Sequence, residues 1–175
     1  MTNATPFDVG DRVVYPHHGA AVIERKEQRD SFGEQREYLV LHVDQGDLTL
    51  LVPADNTEEV GLRQVIEEED AAEVFAVLAR RGAHVPGNWA RRFKNHVAKL
   101  KSGDIYQVAE VVRNLSLRHA EKPLSAAEQR MLATSGRILA SELALALAVT
   151  EEDAQHRVDE AFSSRRDPPT PLLSL

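Results

Sequence analysis

The sequence predicts an α+β protein: a small N-terminal β-barrel followed by a compact all-α helical domain. Up to about Pro53, short β-rich runs alternate with turn signals. After Pro53, apolar residues recur at helical spacing. Between Glu73 and Asp104 lies a window without a single Asp or Glu, although the whole chain carries a formal charge of −7. That window holds Arg80, Arg81, Arg91, Arg92, Lys94, Lys99 and Lys101 together with the chain's only tryptophan, Trp89. A cationic surface edged by a large aromatic suits contact with a polyanion, nucleic acid above all. The competing reading makes Trp89 core and the cations a solvated helix face.

Four strands are expected, at Arg12 to Tyr15, Ala20 to Glu24, Tyr38 to Val43 and Leu48 to Val52. Gly10-Asp11, His18-Gly19, Ser31-Phe32-Gly33 and Gln45-Gly46-Asp47 supply the turn chemistry. So few short strands cannot make a flat sheet with two good faces. Curling into a barrel of the SH3 or Tudor kind buries one face and limits open edges.

Ala71, Val74, Phe75 and Leu78 then mark a first helix, with Gly82 as its stop. Asn88 is placed to cap a second helix whose Trp89, Phe93, Val97 and Leu100 form one stripe. Asp104 with Gln107 reads as a capping box for a third helix, with Ile105, Val108, Ala109, Val112 and Leu115 inward. After Pro123, Ser125 with Glu128 is a second capping box. It opens a helix whose Leu132, Ser135, Leu139, Leu143 and Ala146 share a face. Thr150 before three acids starts the last helix. The boundaries expected are 1–57 for the barrel, 58–163 for the helical domain and 164–175 for a disordered tail.

Catalysis finds little support. With no cysteine, thiolate metal sites, disulfides and cysteine nucleophiles are excluded. His17 and His18 are adjacent, so on a strand they point to opposite faces, and His18-Gly19 reads as a turn. Asp44-Gln45-Gly46-Asp47 lacks calcium-loop spacing and reads as a hairpin connection. No phosphate-binding glycine loop or nucleophile elbow occurs. No enzyme, cofactor or metal is expected. The N-terminal residues show no secretory pattern and no apolar run reaches membrane-spanning length, so a cytoplasmic protein without membrane contact is expected.

Within the basic window, Arg91, Asn95 and Lys99 fall one turn apart with Arg92 beside them, a stripe facing away from Phe93 and Val97. Long cationic side chains so arranged suit phosphates. The phase of Trp89 favours core, while its first-turn position allows the ring to emerge at the domain tip and wedge or stack against bases.

Several strings together resemble the CarD/CdnL family of bacterial RNA polymerase-binding transcription factors. They are Val9-Gly10-Asp11, Val13 through Ala20, Glu37 through Leu41, Gly46-Asp47-Leu48-Thr49 and Asn88-Trp89-Ala90-Arg91-Arg92. The likeness continues through Ser102-Gly103-Asp104, Val108 through Arg113 and Leu124-Ser125 to Glu142 through Ala146, nearly the whole chain. It implies a Tudor-like barrel that binds the polymerase β subunit, and a helical domain lying against promoter DNA. In that picture Trp89 wedges into the minor groove, and Arg91, Arg92, Lys94 and Lys99 contact the backbone in a weak, sequence-tolerant way. The protein would act as a monomer that stabilises the open promoter complex. Arg29 matches a polymerase-contacting arginine of the family. Leu51 stands where a second such arginine is usual, and Gln129 where a DNA-facing lysine is usual. The alternatives are a divergent paralogue that binds polymerase without activating, and a protein-interaction module with no DNA role.

Overall fold

The computed structural model describes residues 5–43, 46–81 and 86–163. Five strands come first: β1 (Arg12–Tyr15), β2 (Gly19–Ser31), β3 (Glu34–Val43), β4 (Leu48–Pro53) and β5 (Arg63–Gln64). All pair antiparallel in the order β4-β3-β2-β1-β5. Their concave face buries Phe7, Val13, Ile23, Leu39, Leu41 and Val52. A register shift between Ile23 and Arg25 breaks the ladder, a bulge of the kind that increases local twist. The N-terminal unit is thus Tudor-like, as expected, with one difference. The sheet takes its fifth strand from residues beyond the boundary at 57, because a two-residue strand carries no alternation to read.

The hairpin of β2 and β3 is longer than its apolar runs suggest, reaching Ser31 opposite Glu34. Phe32 and Gly33 close it with φ of 55° and 85°, the left-handed pair that a two-residue turn matching the strand twist requires. The turn at 45–47 lies partly outside the described residues, and Gly46 and Asp47 both have positive φ. The expected stop at Gly82 and the tail 164–175 also lie outside them.

Five helices follow: α1 (Glu68–Ala79), α2 (Trp89–Lys101), α3 (Ile105–Glu121), α4 (Ala126–Leu147) and α5 (Glu151–Ser163). A core of Val74, Leu78, Val108, Val112, Leu139, Leu143 and Val158 joins α1, α3, α4 and α5. Each fully buried Leu or Val contributes roughly 1.5–3 kcal/mol. Helix α2 lies across α3, with Phe93, Val97 and Leu100 against Val111, Leu115, Leu124 and Met131. The Ser125–Glu128 capping box forms in both directions. The one expected at Asp104 does not: Asp104 accepts from the Tyr106 N–H at 2.8 Å, with no return bond from Gln107. Glu67 and Asp70 form an unforeseen box at α1. Among the described residues, no single helix is long and apolar enough to cross a membrane.

Barrel and helices meet at a polar junction. Glu142 on α4, 1% exposed, accepts from Arg63 Nη1 and Nη2 at 2.6 and 2.7 Å and from the Ile66 N–H at 3.1 Å. Arg63 Nε donates to the Gly103 carbonyl, and Arg12 Nη1 to the Leu145 carbonyl. The Ala20 N–H donates to Ser141 Oγ at 3.1 Å, and a Cβ on Gly19 would sit 2.7 Å from that same oxygen. The His17-His18-Gly19 string is therefore a turn and a seat for α4. No metal-holding cluster exists among the described residues.

Candidate nucleic-acid interface and partner-binding edge

Helix α2 begins where Asn88 Oδ1 accepts the Arg91 N–H at 3.0 Å. Its sequence carries no acid, and its exposed face presents Arg91, Lys94, Asn95, Ala98 and Lys101. Trp89 leads this helix and is 46% exposed. Its ring stacks on Phe93 with centroids 5.1 Å apart and an interplanar angle of 16°. Its Nε1–H points to Ser125 Oγ at 3.4 Å, a long hydrogen bond. One indole face is thus supported and the other open, so the core reading of Trp89 does not hold.

Arg92 corrects the sequence expectation. It does not join the outward stripe: it is 1% exposed and turned into the domain. Its Nε and Nη2 donate to Glu128 Oε1 at 3.1 and 2.9 Å, and its Nη1 to the Pro86 and Gly87 carbonyls at 3.3 Å. A buried guanidinium needs a carboxylate partner, and Glu128, 2% exposed, provides it. As placed, Arg92 is closed to phosphate. Burial pushes the Glu128 carboxyl up, but the hydrogen bonds from Ser125 and Arg92 outweigh this and hold it below the usual range. Lys99 is half-buried and paired to Glu110 of α3, so its charge is already matched. Arg91 and Lys94 are exposed as expected.

His96 was missed by sequence reasoning. It lies one turn from Arg92 on the inward face, 3% exposed, and its Nδ1 has no partner among the described residues. Burial first, then Lys99 and Arg92, lower its pKa to about 4, with Glu128 opposing. The available signal was the 92/96 spacing in phase with Trp89.

On the barrel, Arg29 and Leu51 lie on the same sheet face, since Arg29 is opposite Arg36, Leu51 is opposite Val40, and Arg36 and Val40 share strand parity. Leu51 is 41% exposed while Leu50 and Val52 pack toward the core, so it does not fill the barrel. Arg29 is exposed and held by Glu27, its Nε and Nη2 at 3.0 and 2.9 Å from Oε2. Hydrogen bonds from Arg25 and Arg29 keep the Glu27 carboxyl below its usual range. Among the described residues strand β4 pairs only with β3, so it forms one edge of the sheet, flanked by exposed Leu48 and Leu51.

A barrel is thus hydrogen-bonded to a helical domain in which the acid-free, cationic α2 is led by a half-exposed tryptophan. The chain belongs to the CarD-like transcription factor family. Residues 7–66 match the CarD-like/TRCF RID domain and residues 73–159 the CarD C-terminal domain. It is 31% identical over 146 residues to the Bacillus subtilis (strain 168) protein named "Putative transcription factor YdeB", covering 83% of this chain and 95% of that one. The family is one of transcription factors rather than enzymes.

Proposed function

We propose that this protein regulates transcription by docking its barrel on the β subunit of RNA polymerase and holding the promoter open through weak, sequence-tolerant DNA contact. The observation that carries this reading is the half-exposed Trp89 at the head of an acid-free cationic helix. A supported indole with one free face can wedge into a minor-groove base step, and Arg91 and Lys94 beside it can meet the backbone. The positive end of the α2 dipole favours phosphate at the same place. Polymerase contact falls to the β4 edge and Arg29, by strand addition with charge support. Anchoring there raises the local concentration of the helical surface at DNA, so a feeble contact suffices.

The test is Trp89→Ala in a promoter-opening assay with bacterial RNA polymerase. Open-complex stabilisation should fall sharply while folding and polymerase binding persist. An unfolded variant, or one that opens promoters as before, would sink the reading. The second reading, a polymerase-binding paralogue with weak activation, draws on Leu51 and on Gln129. Gln129 Nε2 donates to the Leu124 carbonyl at 3.3 Å, so that side chain serves its own helix start.

A further inference from the structure

The groups beneath Trp89 form one chain of hydrogen bonds, and Glu128 stands at its centre. Oε1 of Glu128 takes both Arg92 bonds, while Oε2 takes the Ser125 N–H and the Ser125 hydroxyl, each at 3.1 Å. Ser125 Oγ in turn accepts the Glu128 N–H at 3.2 Å and the indole N–H of Trp89. A hydroxyl has one proton to give and two lone pairs to fill, so Ser125 is saturated. Arg92 closes the circuit by gripping the Pro86 and Gly87 carbonyls just ahead of the Asn88 cap. The first turn of α2 is thus tied to the first turn of α4, 36 residues away in sequence.

We infer that the Ser125–Glu128 capping box is a positioning device for Trp89: Glu128 pins the backbone that carries the indole, and Ser125 orients the ring. This deepens the functional reading and rests on it for the consequence at DNA. A capping box needs only Ser125 and Glu128 to start α4. Burying Arg92 against the same carboxylate adds nothing to that cap, but it fixes the ring that emerges beside it. Pre-set orientation matters for a wedge, because ordering the ring at the moment of contact would oppose binding.

Trp89 is the only tryptophan, so intrinsic fluorescence reports on this ring alone. Glu128→Gln leaves a buried guanidinium without its counter-charge and also lowers stability. Ser125→Ala leaves the ion pair in place but loses the α4 cap, so a circular-dichroism melt of the same variant separates a loosened ring from a loosened fold. In Ser125→Ala the fluorescence anisotropy should fall, iodide quenching should rise, and open-complex lifetime should drop several-fold, with polymerase affinity unchanged. Ser125→Thr, which restores a hydroxyl, should recover all three. Unchanged anisotropy and quenching in both Ser125→Ala and Glu128→Gln would overturn the inference. So would a freed ring with undiminished promoter opening where Trp89→Ala abolishes it. Should Trp89→Ala itself leave promoter opening intact, the functional reading fails, and the fluorescence comparison alone decides whether the capping box holds the ring.

Discussion

Arg91 and Arg92 are neighbours of identical chemistry, yet a 100° step around α2 puts one in water and the other against Glu128. Their substitutions should diverge accordingly. Arg92→Ala removes the two hydrogen bonds to the buried Glu128 carboxylate and leaves it only Arg118, 3.8 Å away, and Ser125, so it should cost about 2–4 kcal/mol in denaturant unfolding. Arg91→Ala should change stability by less than about 0.5 kcal/mol. It should instead lower DNA affinity and reduce the slope of log affinity against log salt by about 1, one phosphate contact. His96 makes a different prediction. Its folded pKa, about 4, lies below the ordinary 6.5, so the unfolded chain binds the extra proton first. Stability should therefore fall as pH drops from 6.5 towards 4, and an NMR titration should find His96 neutral until the lower end. Glu128, held below its usual range, adds a further loss as pH falls through its folded pKa. A His96 that titrates near 6.5 in the native state would refute this. The cation window was legible from composition and the exposure of Arg91 from helical phase, while Lys94 was named as a contact only through the family resemblance. The burial of Arg92 was not, because helical phase says which face a residue is on and not what a second helix brings to that face.

Strand β4 is the element whose two faces differ most in consequence. Leu50 and Val52 are held in the barrel, whereas Leu51, 41% exposed, sits on the other face at the sheet edge, opposite the buried Val40. Leu51→Arg should leave the melting temperature unchanged and tighten polymerase binding by ~1 kcal/mol, less than a full charged hydrogen bond because the side chain must be ordered. A pull-down titration beside a thermal melt checks both halves, and a lowered melting temperature without tighter binding would contradict it. Alternation within Leu48–Pro53 places Leu51 on the face opposite to Leu50 and Val52, but which face the barrel closes over is decided by the curl of the sheet. The long β2–β3 hairpin was under-read for a related reason. From Arg25 to Glu37 the residues are polar on both faces, so no period-2 hydrophobic signal survives although the ladder continues to Ser31 and Glu34.

At the scale of the whole molecule, a fixed separation between the two proposed surfaces spares the ordering cost that a flexible link would carry at the moment of binding. Arg63, Glu142, Arg12, Ser141 and Gly19 hold the barrel on α4 through direct bonds and close approach. Gly19→Ala would drive a methyl to 2.7 Å from Ser141 Oγ at a φ of 89°, a conformation costing about 1–3 kcal/mol for a side-chain-bearing residue. The variant should lose promoter opening while retaining most of its polymerase affinity, since the β4 edge is remote from the junction. Equal loss of both would show that the barrel itself fails.

By itself the sequence determined the α+β class, the first four strands and the five helices in order, the caps at Asn88, Ser125 and Thr150, and the acid-free stretch around Trp89. These depend on interactions within a few residues: alternation, helical phase, a capping side chain reaching its own helix, a local count of charges. Only the tertiary structure decided that Arg92 belongs to Glu128, that Trp89 keeps one face open, that Leu51 faces out, and that Arg63 and Glu142 lock the domains. Each of those joins residues 36 to 79 apart, or depends on how a sheet curls. The free energy of such a pairing balances a desolvation cost against attraction in a low-dielectric site that does not exist until the elements pack, so no local pattern records it.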